Sequence, residues 1–266
     1  MLNFNIDPVL LTLGPFEIRY YGLVYVLGFI IAYVWLRYMV KHKKINLDND
    51  ELDTLIIYLM LGVIIGSRLF HIMFWEPSYY LAHPLQMLEI WKGGMAFHGG
   101  LIGVIVATWL FSRKPSIKEK GITFAKIADI MVIPAVFALA LGRIANFLNG
   151  ELVGTKSSLP WCFNFPGYEG YRHPVQLYGA LKRFIVMGIL IFLNNVYVTK
   201  GRFKDGFLFT VFIGLMGIGR FMVDFFREDP RWFGLSEGQY LGLAMFIGAV
   251  VVYVLYYFEH QNVRNI

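Results

Sequence analysis

Six short polar clusters interrupt the apolar stretches of this 266-residue chain. They are Tyr20–Tyr21, Arg68 with His71, His98–Gly100, Arg143–Glu151, His173–Gln176, and Arg220 with Asp224 and Arg227. Arginine carries a planar, permanently charged fork that matches two phosphate oxygens. Histidine titrates near neutrality and can take a proton from a nucleophile. An arginine-rich, histidine-containing set in apolar surroundings suits an anionic amphiphile, with phosphate on the arginines and acyl chains between helices.

Spacing groups these residues further. Arg220, Asp224 and Arg227 stand at i, i+4 and i+7, which predicts one helix face. Each arginine within lipid costs about 2.5–3.5 kcal/mol on insertion scales, so an anion is expected to complete the site. The competing reading is a self-contained ion network that snorkels to headgroups. Arg143, Asn146 and Gly150 repeat the pattern at i, i+3 and i+7, followed by Glu151 and Gly154. Asn146 is expected to donate to an ester carbonyl or to hold Arg143, against ordinary interhelical hydrogen bonding. His98 precedes Gly99, Gly100 and Gly103, which clear space for a lipid or a neighbouring helix. Buried and neutral, His98 would suit a general base. Tyr20 and Tyr21 fit an interfacial aromatic belt. Arg68 and His71 form a support pair, and His173-Pro174 starts a helix that aims Gln176 and Tyr178 at the site. Cys162 is expected to be inert.

The elements that must hold these residues are membrane spans. The chain is 57% hydrophobic and 16% charged, with mean hydropathy +0.56, where soluble domains average about 25% charged residues. Uncharged runs at 20–36, 95–111 and 240–258 are long enough to cross about 30 Å of hydrocarbon. Shorter runs at 55–67, 130–142, 184–198 and 207–219 reach that length only with their polar flanks. The prediction is an all-α membrane protein in one domain, 1–266. Its seven transmembrane helices are placed near 19–40, 54–74, 94–111, 124–148, 174–198, 206–227 and 237–258. The beginning of the chain lacks a basic region before Arg19, so no secretory signal peptide is expected. A single cysteine excludes an intrachain disulfide and thiolate metal clusters, and no metal or nucleotide motif occurs.

Charge sets the orientation. Arg37, Lys41, Lys43, Lys44, Arg113, Lys114, Lys118, Lys120, Lys126, Lys200, Arg202, Lys204 and Arg264 fall on one set of connections. Arg19, Lys92, Lys156, Arg172 and Arg231 fall on the other. The positive-inside rule makes the first set cytoplasmic, with the N-terminus outside and the C-terminus inside. The net charge of +6 is thereby assigned to orientation and anionic headgroups, not to nucleic acid. All the polar span ends then face the outer leaflet, where they are expected to converge under a small outer cap between spans four and five. Charged clusters in lipid mark function. An enzyme acting on lipid and a lipid or anion transporter both fit. The one-leaflet placement and the lack of an internal repeat favour the enzyme.

The run G-R-I-A-N-F-L-N-G-E-L-V-G, Gly142 to Gly154, resembles the pattern G-R-x-[GA]-N-F-x-N-x-E-x-x-G of the bacterial prolipoprotein diacylglyceryl transferases. R-Y-Y-G-L from Arg19, G-G-M-A-F-H-G-G-L-I-G from Gly93, R-H-P-V-Q-L-Y from Arg172 and R-F-M-V-D-F-F-R-E from Arg220 resemble the same family in the same order. S-E-G-Q from Ser236 matches its last motif loosely, so the resemblance covers essentially the whole chain. It implies transfer of the diacylglyceryl group of phosphatidylglycerol to the lipobox cysteine of a preprolipoprotein signal peptide. The products would be a thioether and glycerol phosphate, formed in the bacterial inner membrane without metal or cofactor. By resemblance, Arg143 and Arg220 hold the phosphate and stabilise the leaving group. His98 is the base, with Tyr21 as rival or helper. Asn146, Glu151 and Gly154 shape the headgroup site, with Gly99, Gly100 and Arg68 also assigned to substrate, and Asp224 orients Arg220. The alternative is a non-catalytic anionic-phospholipid binding or transport protein on the same scaffold.

The chain departs from the family's pattern at several places. Asp224 stands where Glu is expected, Val175 and Gly179 where Ser and Glu are frequent, Glu237 where Met is common and His71 where Tyr is frequent. Lys182 and Arg183 add charge early in the fifth span.

Overall fold

The computed structural model describes residues 2–4, 6–7, 9–13, 16–198, 201 and 203–258. It is mostly helical. The chain runs through β1 (Leu2–Asn3), β2 (Val9–Leu13), β3 (Phe16–Arg19), α1 (Tyr20–Lys41), α2 (Asn49–Phe74), α3 (Pro77–Ala82), α4 (Phe97–Ser112), α5 (Pro115–Glu119) and α6 (Phe124–Leu148). It continues with β4 (Phe163–Asn164), β5 (Tyr171–Arg172), α7 (Val175–Leu193), α8 (Phe207–Val223), β6 (Arg231–Trp232), β7 (Leu235–Ser236) and α9 (Glu237–Val252).

Among the described residues, 6 helices are long and apolar enough to cross a membrane: 22–41, 49–74, 124–148, 175–196, 207–226 and 237–257. The segment predicted as 94–111 differs. Gly93 and Gly94 adopt φ of 91° and 73°, so α4 starts only at Phe97 and is an apolar helix of 16 residues. Helix α2 starts earlier than predicted, at Asn49, because Asp48 and Glu51 cap it reciprocally. The all-α expectation also needs correction. β2 and β3 form an antiparallel hairpin, β1 lies parallel to β4, β4 antiparallel to β5, and β6 pairs with β7. Apart from that hairpin these strands have two residues each, too few to show an alternating pattern in sequence.

The chain divides into two compact units, Tyr33–Ala128 and Met1–Ala32 with Asp129–Ile266. In the first, α2 and α4 pack antiparallel along a glycine seam. Gly62 and Gly66 on α2 face Gly99 and Gly103 on α4, and a Cβ on Gly103 would run into the carbonyl of Gly62. Small residues four apart let helix backbones approach in this way. At one end of the pair, Lys120 bonds Glu51 at 2.6 Å and Asp48 at 3.2 Å. The basic connections after α1 and after α4 therefore lie together. At the other end the Ala96 amide donates to the Ser67 carbonyl.

In the second unit, α8 and α9 share a similar seam at Gly217 and Gly242. Asp129, buried on α6, accepts from the amides of Gly206 and Phe209, both at 2.8 Å, and so caps α8. Tyr257 donates to the Asp205 carbonyl near that same end. Phe4, Phe147, Val153 and Phe165 form a small core that ties β1 to the connection after α6. Of the basic residues used for orientation, Lys200, Arg202 and Arg264 lie outside the described residues.

Candidate active site

The site in the second unit is built at the end of α6. Gly150 has φ of 65°, its amide donates to the Phe147 carbonyl, and the Glu151 amide donates to the Asn146 carbonyl. This is the Schellman termination, for which glycine is the usual left-handed residue. Such an ending normally brings an apolar residue after the glycine against one on the last turn. Here both positions are polar, and Asn146 Nδ2 donates to Glu151 Oε1 at 2.7 Å. One of the two Nδ2 hydrogens expected to serve substrate or Arg143 is thus given to Glu151. Leu152 follows with φ of 55°, a left-handed conformation that costs a non-glycine residue about 1–2 kcal/mol.

Neighbouring elements fix the chain beyond this turn. Gln176, fully buried on α7, donates to the Glu151 carbonyl at 2.6 Å. The Gly154 amide donates to the His173 carbonyl, and a Cβ on Gly154 would strike the Phe226 carbonyl and the His173 and Val175 side chains. Arg172 is buried, donates to the Gly154 carbonyl at 3.1 Å and pairs with Glu228. Trp161 donates to the Tyr178 hydroxyl at 2.8 Å, and that hydroxyl lies 2.9 Å from His173 Nδ1. Burial holds the His173 imidazole below its ordinary value.

Asp224 is buried and accepts from Arg220 Nε at 3.3 Å. A Cβ on Gly238, at the start of α9, would collide with Asp224 Oδ2 and would lie 2.7 Å from Arg220 Nε. Glycine at 238 is what admits the pair. Ser236 and Gln239 cap α9 reciprocally, and Gln239 also donates to the Phe221 carbonyl. The ends of α6, α7, α8 and α9 that carry polar clusters therefore meet at one end of the unit. The single-face expectation for Arg227 is corrected. Helix α8 stops at Val223, a tight turn covers 224–226, and Arg227 turns away to pair with Asp229 at 2.9 Å.

Sequence reasoning left two residues here outside the site. Lys182 lies across α8 where Gly219 has no side chain, and Arg143 lies over Gly179 on α7. Lys182 is within electrostatic reach of Arg143, Arg183 and Arg220, with Asp224 the carboxylate that acts on it. Arg183 is buried and donates to the Gly179 carbonyl at 2.8 Å. Glycines at 179 and 219 could have signalled these paths only if the pairing of helices were known.

In the first unit, Arg68 and His98 again share one end. The Phe70 and His98 ring centroids are 6.0 Å apart, and the expected burial of His98 is corrected: it stands exposed at the start of α4, where the helix has only just begun. Gly99 and Gly100 are buried, and the space they clear is filled by α2, through Gly66, Phe70 and Ser67. Arg68 is buried beneath Tyr80 and gives its guanidinium to the carbonyls of Met87, Gly93, Gly94, Gln86 and Glu89. A pocket of about 540 Å³ opens beside it, lined by Glu76, Tyr79, Tyr80, Gln86 and Glu89. With Arg68 spent on carbonyls and two glutamates in the wall, it offers little to a phosphate. Tyr21 stands in the first turn of α1; its side chain lies outside the described part of the structure.

Comparison with known proteins gives a consistent result. Residues 8–255 match the family model described as prolipoprotein diacylglyceryl transferase. A phosphatidylglycerol–prolipoprotein diacylglyceryl transferase of Geobacter sulfurreducens is 42% identical over 257 residues, covering 94% of this chain and 95% of that one. The Bordetella avium protein of the same name is 42% identical over 267 residues, covering 96% and 97%. That of Legionella pneumophila strain Paris is 37% identical over 255 residues, covering 93% and 96%.

Proposed function

The chain belongs to the prolipoprotein diacylglyceryl transferase family, and from that premise we propose how its residues carry the reaction. It is a transferase that moves the diacylglyceryl group of phosphatidylglycerol to prolipoproteins. The acceptor is the thiol of the lipobox cysteine in the signal peptide. His98 takes the thiol proton, because only the thiolate is a strong nucleophile. The sulfur forms a bond to the terminal glycerol carbon of the diacylglyceryl group. The bond from that carbon to the phosphate oxygen breaks, and its electron pair goes to the oxygen. Glycerol phosphate leaves with one more negative charge than it carried as a diester, and His98 then passes the thiol's proton to water, which restores the base.

The growing charge on the leaving group is where the protein contributes most. Arg143 and Arg220 take the phosphate oxygens, and Asp224 keeps Arg220 in place. Asn146, Glu151 and Gly154 shape the headgroup end through the polar Schellman turn. Arg68 acts through the connection it organises, and Gly99 and Gly100 by seating the start of α4, where His98 is carried. Tyr21 is the rival proton acceptor. The single observation that carries this reading is the meeting of Arg143, Arg220, Asp224 and the Asn146–Glu151 pair at one helix-bundle end. The positive-inside distribution assigns the polar ends to the outer leaflet of the bacterial inner membrane, with seven spans if α4 crosses, N-terminus outside. The strand-pinned connection after α6 would serve there as the outer cap.

The test is purified protein with phosphatidylglycerol and a lipobox peptide, followed by mass. The expected product is a thioether diacylglyceryl adduct that disappears with Arg143→Ala and with a Cys→Ser peptide. Folded, lipid-binding protein that yields no adduct would move the assignment to a lipid-binding or transport protein.

A further inference from the structure

Lys182 and Arg183 sit where the family pattern has no such charge, and the structure brings both to the phosphate end of the site. Lys182 reaches there along a path made by a missing side chain. A Cβ on Gly219 would lie 2.9 Å from its Cγ and 3.4 Å from its Cε. Its ammonium has no hydrogen-bond acceptor among the described residues. The charges acting on it are those of Arg183, Arg143, Asp224 and Arg220, three cations to one carboxylate. Arg183, the next residue in the chain, is buried and anchored to the Gly179 carbonyl, with its Nε unpartnered among the described residues.

An excess of cations in apolar surroundings is unfavourable unless an anion joins them. An anion at this point would balance a lysine threaded over Gly219 toward two arginines. We propose that Lys182 is an additional phosphate-binding residue of this site. The inference rests on the transferase reading. A lysine ammonium is a compact point charge with three donors, so it favours a concentrated charge over a diffuse one. Phosphatidylglycerol presents a phosphodiester with one negative charge, and the departing glycerol phosphate becomes a monoester with two. Lys182 therefore holds the leaving group more strongly than the lipid. Its ligand class is a glycerol phosphate monoester, in the transition state and as bound product.

The experiment compares wild type with Lys182→Met, which keeps the chain's length and apolar stem, and with Lys182→Arg, which restores charge. Turnover with phosphatidylglycerol and lipobox peptide reports on the lipid. Titration with free glycerol phosphate, with inorganic phosphate as a second arm, reports on the anion without any turnover. The expected result for Lys182→Met is a fall in kcat of about tenfold or more, with a smaller change in KM for lipid. Glycerol phosphate binding should weaken about tenfold, and Lys182→Arg should recover most of both losses. Thermal unfolding of each variant confirms that it is folded. A folded Lys182→Met enzyme with unchanged kcat and unchanged glycerol phosphate affinity would overturn the proposal and leave the transferase reading intact. Lys182-dependent anion binding in a wild-type protein that makes no adduct would keep the anion site and overturn that reading. A Lys182→Met variant that binds phosphate and glycerol phosphate equally weakly, while wild type prefers neither, would reduce the site to a general anion sink and overturn its assignment to the monoester.

Discussion

Asn146 donates to Glu151 at 2.7 Å across the turn that ends α6, joining the two positions that such a turn usually fills with apolar side chains. The exchange of apolar for polar at that spot ties the backbone turn to the proposed headgroup site. Removing the donor leaves a partly buried carboxylate short of a partner. Hydrogen bonds to charged groups contribute about 1.5–3 kcal/mol. Asn146→Ala is therefore expected to lower kcat/KM by about 10- to 150-fold, and Asn146→Asp by more, because two carboxylates would then face each other. Steady-state kinetics of peptide lipidation reads both.

Gly238→Ala tests the Arg220–Asp224 pair without touching either residue. The added methyl would occupy the space of Asp224 Oδ2 and of the Arg220 guanidinium. Turnover should fall at least tenfold as Arg220 is displaced, a loss of about 1.4 kcal/mol or more in transition-state stabilisation. Gly248→Ala, on the same helix with nothing within 4 Å, should leave activity unchanged. A kinetic comparison of the two variants decides it.

The α2–α4 seam should be intolerant of bulk. Gly103→Val would place carbons against the Gly62 carbonyl, backbone that cannot move aside cheaply. Overpacking of this kind costs about 1–3 kcal/mol. Gly188→Ala, with open space around it, should match or exceed wild-type stability, since alanine is the better helix former. Thermal unfolding in detergent separates the two.

His173 sets a pH dependence of stability. Its folded value lies below the ordinary value because burial disfavours the imidazolium. Between those two values the unfolded chain binds more protons than the folded one, so stability rises with pH there. The contribution is complete above about pH 6.5 and is lost as pH falls through the folded value. Unfolding temperatures measured from pH 7.5 down to 5 should decline, and His173→Gln should flatten that decline.

Much of the bundle was legible because apolar runs obey lipid physics independently of packing. The 124–148 helix appears at its predicted bounds. Arg143 and Asn146 could be read together because helical spacing places them before any neighbour is known, whereas Glu151 joins them only through the turn at Gly150. Arg227 could not be placed, since its i+7 spacing presumes a helix that the turn at 224–226 ends. Asp129 was invisible for the opposite reason. Its partners, Gly206 and Phe209, lie far along the chain, and only the packed structure shows a carboxylate capping another helix. Lys182 and Arg183 were noticed as charge, but the glycines that let Lys182 and Arg143 reach the site lie on facing helices. No pattern within one helix reports on such a match.

Arg68 grips five carbonyls of the connection before α4 and lies against the Tyr80 ring within it. The course of that stretch is thus encoded mainly outside it, by one guanidinium on another helix. Its exposed side chains, Leu85, Leu88 and Trp91 among them, are therefore not what fixes the path of the backbone beneath them.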